Sequence, residues 1–176
     1  MAENLGELRI ISATVEDRPG VLFKVTSLIR RRGFNIETIT VGGTEKEHIS
    51  RITLGMKGNA AVVEQVIKQL SKVPEVMKII ELVPSESVYR ELAIVKVLAP
   101  DPSKRADLLN YISIFRAKVI DASMDAFVIE IVGNPTKINA FLDLMRNFGI
   151  VEMAKTGIVA LSRRTKPQAE RTAERP

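Results

Sequence analysis

The sequence contains no cysteine, no tryptophan and a single histidine, and aromatic residues make up only 5% of it. Without cysteine there are no disulfides, no thiolate metal sites and no cysteine nucleophile, and the redox compartment is unmarked. The lone imidazole, His48, follows Glu45, Lys46 and Glu47 in a polar stretch. With no positioned partner it is neither a ligand set nor an acid–base pair, and it reads as a solvated loop residue. No Gly-x-Ser-x-Gly, no His-Glu pair at ligand spacing and no P-loop or dinucleotide glycine pattern occurs. Gly42-Gly43 is a turn before it is a phosphate cradle, because no helix start with Lys-Ser/Thr follows. Catalysis by this chain alone is therefore not expected. No run approaches the roughly 18 apolar residues of a membrane span. The first seven residues hold two acids and no basic apolar leader, so the expectation is a cytoplasmic protein without membrane contact.

What is present suits a folded chain. The 176 residues are 45% hydrophobic and 27% charged, enough for two small cores. The net charge of +5 is concentrated at the end: residues 163–176 hold five cations and two acids, leaving +2 for the rest. Residues 164–176 read as a disordered, solubilising basic tail.

Hydrophobic spacing gives the organisation. Residues 8–16 alternate as a strand, and Asp17-Arg18-Pro19 opens a helix running to about Arg32. Proline near the first helical position and an aspartate before it are both favoured there. Leu22, Val25, Leu28 and Ile29 form the apolar side, and Gly33 supplies a left-handed cap. Strands at 35–41 and around Ile52, Leu54 and Met56 form a hairpin. A helix at 60–72 buries Val63, Val66, Ile67 and Leu70, and a strand follows at 76–83. After a linker at 84–88 the order recurs: strand 89–99, helix 103–116, strands 118–123 and 126–132, helix 136–147, strand 150–161. Shifting by 84 residues carries Val25 onto Leu109 and Leu28 onto Ile112. A shift of 75 carries Gly58-Asn59 onto Gly133-Asn134, Val66 onto Phe141 and Val76 onto Val151. The expected class is α+β: two tandem ferredoxin-like βαββαβ domains, at 1–83 and 89–163, each an antiparallel sheet with both helices on one face. The strand Leu92-Ala93-Ile94-Val95 is apolar on both sides, which implies packing between copies or chains.

The same order occurs in RNA-binding modules, whose sheets present aromatic platforms. Here the third strand, Arg51-Ile52-Thr53-Leu54-Gly55-Met56, has no aromatic. Arg30-Arg31-Arg32 reads as cations complementing a helix C-terminus. Nucleic acid is not an expected partner.

The informative element is Glu16-Asp17-Arg18-Pro19-Gly20-Val21-Leu22. A glycine at a helix entrance lets a ligand approach the backbone, and unpaired N–H groups at the positive end of the helix suit a carboxylate. Asp17 is placed to meet an ammonium group. Together these describe a site for a free α-amino acid, alongside the plainer reading of an ordinary capped helix.

The run VEDRPGVLFKVTSLIRRRGFNIETITVG resembles an ACT domain. With SRITLGMKG, EQVIKQLSKV, YRELAIVKV, IFRAKVIDAS and AKTGIVALSR, the likeness covers residues 8–163 and resembles the regulatory small subunit of acetohydroxyacid synthase (acetolactate synthase). The resemblance implies a non-catalytic subunit of branched-chain amino-acid biosynthesis, a homodimer through its ACT domains. It would activate a large catalytic subunit and confer feedback inhibition by valine, or by leucine or isoleucine. It implies that the effector lies between Asp17, Gly20, Val21 and Leu22 of one chain and Asn35 and Ile36 of the other. Family members often carry asparagine where this chain has Asp17. Thiamine diphosphate, magnesium and FAD are expected on the catalytic partner and no cofactor on this chain. Ala99-Pro100-Asp101-Pro102-Ser103 replaces the proline–glycine entrance in the second domain, so no equivalent site is expected there; that domain would contribute contacts to the catalytic subunit and the dimer. A stand-alone ACT sensor acting on a different partner is the alternative.

Overall fold

The computed structural model describes residues 8–164 and 172–174. Two compact units divide the chain, residues 90–157 forming one and the segments on either side of them the other.

In the first unit, β1 (Leu8–Glu16), α1 (Val21–Arg31), β2 (Ile36–Gly43), β3 (Ile49–Lys57), α2 (Ala60–Leu70) and β4 (Val76–Leu82) follow the expected order. The sheet is antiparallel, with β1 between β3 and β4 and with β2 outside β3. Period-two alternation sends Ile11, Ala13 and Val15 of β1, Ile52, Leu54 and Met56 of β3 and Ile79 of β4 into one core with Val21, Val25 and Ile29 of α1 and Val63, Val66 and Leu70 of α2. Each large aliphatic side chain sealed there contributes about 1.5–3 kcal/mol.

The helix before this core begins later than the sequence suggests. Gly20, at φ 88, is the N-cap, and α1 starts at Val21. Pro19 therefore lies outside the helix, and Leu22, expected in the apolar stripe, is 44% exposed while Val21 takes the core position. The far end agrees with expectation: Gly33, at φ 69, follows the last turn, its N–H donating to the Arg30 carbonyl.

The second unit contains most of β5 (Ser87–Leu98), then α3 (Pro102–Ile114), β6 (Lys118–Ala122), β7 (Ala126–Gly133), α4 (Pro135–Arg146) and β8 (Ile150–Lys155). Its strands lie in the order β6-β7-β5-β8. Ala93, Val95 and Val97 pack with Leu108 and Ile112 of α3 and with Ile138, Phe141 and Met145 of α4. The opposite face leaves Ile94, Leu98 and Val132 between 37% and 44% exposed.

The internal repeat is real but one register out in its first part. Leu109 is 47% exposed and Leu108 buried, so a shift of 83 residues, not 84, carries Val25 onto Leu108, Ile29 onto Ile112 and left-handed Gly33 onto left-handed Arg116. The shift of 75 holds at α2 and α4, where Asn59 and Asn134 are both N-caps. It fails in the last strand, since Val76 is buried and Val151 is 56% exposed.

The end of the chain corrects the expected boundaries. The strand read as 150–161 is broken at Gly157, which has φ 79. β8 stays with the second unit, whereas β9 (Val159–Ser162) lies in the first. Ile158 and Ala160 pack with Ile10, Leu82 and Tyr89 on the sheet face the helices leave uncovered. The linker at 84–88 is a 3-10 turn, Pro84–Glu86, running directly into β5. The basic tail, expected to be disordered, contains a short strand, β10 (Thr172–Glu174), paired antiparallel with the outer edge of β4; an open strand edge offers unpaired backbone groups that such a segment satisfies. Residues 165–171, 175 and 176 of that tail lie outside the described residues.

Candidate functional site

Among the described residues four α-helices begin, and three are closed by the side chain of the residue that precedes them. Asn59 accepts from the Val62 N–H at 3.1 Å, Asp101 from Lys104 at 2.8 Å and Asn134 from Lys137 at 2.8 Å. α1 has no side-chain cap. The Val21 N–H reaches the Arg18 carbonyl at 3.3 Å and the Lys24 N–H the Gly20 carbonyl at 3.0 Å, while the N–H groups of Leu22 and Phe23 have no acceptor among the described residues. Asp17, placed in the sequence where it would cap, does not do so, because Arg18, Pro19 and Gly20 intervene before the first helical residue. Its side chain is exposed.

A Cβ added at Gly20 would meet nothing within 4 Å, so the glycine is required by its left-handed φ and leaves open space over the helix start. Around that opening, Arg18 Nε sits 3.1 Å from Glu16 Oε2, so its charge is locally balanced. Lys24 is hydrogen-bonded to Glu75, and that ammonium holds the Glu75 carboxyl below its usual range. Phe23 is 73% exposed beside Leu22. Sequence reasoning passed over Phe23; the available signal was an apolar residue off the helical stripe next to the entrance.

Asn35 and Ile36 lie elsewhere. Asn35 Nδ2 donates to Glu37 Oε1 at 3.2 Å, and Ile36 packs half-buried against the first core. They follow the C-terminal end of α1, which at 11 residues is about 16 Å long. Asp17, Gly20, Val21 and Leu22 are thus brought together at one end of α1, and Asn35 and Ile36 are not brought to them within one chain. β2, which Ile36 opens, is the outer strand of its sheet, with Ile39 37% and Val41 45% exposed.

The corresponding place in the second unit is filled by protein. Pro102 is at the first turn of α3 and the Asp101 carboxylate occupies its N-terminus, so an external anion there would face a like charge.

Two family models match successive parts of the chain. Residues 11–78 match the family model described as an AHAS small subunit-like ACT domain, and residues 90–164 match that of the small subunit of acetolactate synthase. A probable acetolactate synthase small subunit from Methanothermobacter thermautotrophicus is 49% identical over 163 residues, 93% of this chain and 97% of the relative. One from Archaeoglobus fulgidus is 51% identical over 156 residues, 89% and 97% of the two chains. The crystal structure of the acetolactate synthase small subunit from Thermotoga maritima superposes with a TM-score of 0.83 at 38% identity, covering 91% of this chain and 99% of that one.

Proposed function

Because the chain belongs to the acetolactate synthase small-subunit family, we propose that it is a regulatory subunit that binds a branched-chain amino acid at the entrance of α1 and transmits that occupancy to a catalytic partner. The observation that carries this reading is the uncapped N-terminus of α1 behind Gly20, where the other α-helices among the described residues are side-chain capped.

The free N–H groups of Leu22 and Phe23, at the positive end of the helix, donate to the effector's carboxylate. Gly20 lets it approach the backbone, and the exposed Asp17 carboxylate takes the ammonium. Asn35 and Ile36 complete the site from a second copy of the chain, since their own lie a helix length away; pairing of the two β2 edges supplies the dimer. Ile36 gives an apolar wall to an aliphatic effector, which favours valine, leucine or isoleucine over a polar amino acid. A site shared between chains responds to assembly, and linkage requires that the effector bind one arrangement better than another. The catalytic subunit carries the thiamine diphosphate, magnesium and FAD, and the exposed sheet face of the second unit contributes to contacts with it or with the dimer.

Titrating the purified chain into its catalytic subunit tests the reading. Acetolactate formation should rise to a plateau and fall again when valine is added. Unchanged activity at every ratio contradicts the assignment, and effector binding without any change in activity moves the sensor to a different partner.

A further inference from the structure

Away from the α1 entrance, a cavity of about 250 Å³ opens in the first unit, with Ser12, Arg51, Lys78, Glu81, Glu86 and Arg164 among its walls. Strand register puts it on the face turned away from the helices: Thr14 lies opposite Arg51 of β3 and Lys78 of β4, while the neighbouring Ala13 and Val15 face the core.

Two carboxylates and three cations line this cavity. Glu81 is ion-paired with Arg9 at 3.0 Å, and Glu86 is ion-paired with Arg164. Both acids in the wall therefore already have a cation. Arg51 has no carboxylate partner among the described residues, and its Nε is buried without an acceptor. Its cross-strand neighbours are Thr14 on one side and Gly42 on the other, neither of which brings negative charge. A guanidinium cannot shed its proton to escape such a position. Its planar fork matches an oxyanion. Ser12, 6% exposed, adds a hydroxyl-bearing residue to the same wall.

We propose that this cavity is a binding site for a small oxyanion, a carboxylate or phosphate group held by the Arg51 guanidinium, with Lys78 on the same wall. The site shares no residue with the α1 entrance or the start of β2, so it stands or falls independently of the effector reading.

The test is the melting temperature of the full chain against sodium phosphate and, separately, sodium acetate, with ionic strength held constant by chloride. A saturable rise is expected with at least one of them. A rise with phosphate alone assigns a phosphate group; a rise with acetate assigns a carboxylate. Arg51→Met should weaken binding about tenfold or more, the loss expected for a charge-assisted pair. Should Arg51→Met fail to fold, Arg51→Lys, which keeps the charge but loses the fork, must still bind the anion more weakly than the native chain. No saturable rise with either anion, or equal binding in the native chain and the folded Arg51 variant, overturns the proposal.

Discussion

The Asp17 N–H donates to the His48 carbonyl at 2.7 Å, tying the turn before α1 to the β2–β3 hairpin. His48 aims that carbonyl from a left-handed backbone, φ 60, so the only histidine in the chain has a conformational role at an exposed position. Asparagine, aspartate, histidine and especially glycine tolerate this region, and β-branched residues do not. His48→Gly should change stability by less than about 0.5 kcal/mol, whereas His48→Val should cost about 1–2 kcal/mol. Urea denaturation of the two variants checks the difference; equal losses would mean that the imidazole itself matters.

Asp17 and Asp101 precede the first helices of their units and have opposite roles. Asp17→Ala removes an exposed side chain that caps nothing and should leave stability within about 0.5 kcal/mol while weakening amino-acid binding. Asp101→Ala removes the α3 cap and should cost about 1 kcal/mol with no effect on amino-acid binding. Thermal melts and calorimetric titration of both variants separate the two.

This contrast also shows how far the sequence could be read. Alternation and helical spacing located the helices and the core strands other than β9, because burying one face constrains residue type at each step; Val63, Val66, Ile67 and Leu70 are buried as their spacing implies. The entrance of α1 was legible as a site through Asp17 and Gly20, but not its geometry. Proline and aspartate favour a helix start, and the left-handed Gly20 delays that start to Val21 and frees Leu22. The placement of Ile158 and Ala160 was hidden for another reason. An apolar alternation states that a strand has a buried side, not which sheet buries it, and only the break at Gly157 marks the change.

Gly55 faces Thr38 across the β2–β3 pair, and a Cβ there would collide with Thr38 Oγ1. That hydroxyl is itself buried without a hydrogen-bond partner. Gly55→Ala should therefore cost about 1–3 kcal/mol through overpacking. Thr38→Ala removes both the obstruction and the unpartnered oxygen, so the double variant should be more stable than the sum of the single losses by about 1 kcal/mol. Additive losses in a denaturation cycle would contradict the contact.

The Lys24 hydrogen bond lowers the Glu75 carboxyl below its ordinary value, and a hydrogen bond from Ser123 does the same for Asp125. A carboxylate whose folded pKa is depressed contributes stability that is present above its unfolded pKa, about 4, and is lost as pH falls through the lower folded value. Lys24→Met should flatten the acid limb of the stability curve and leave the neutral limb unchanged in shape. Stability measured from pH 7 down to the acid transition checks this, and an unaltered acid limb would contradict it.

The most direct test of the account is a thermal-shift titration of the purified chain with valine, leucine and isoleucine, repeated on Gly20→Asp. A ligand at about 100 times its dissociation constant adds about 2.7 kcal/mol. The account predicts a saturable rise for at least one branched-chain amino acid, abolished in Gly20→Asp because the new carboxylate opposes the ligand's own. A rise that persists undiminished in Gly20→Asp would contradict the α1 entrance as the effector site.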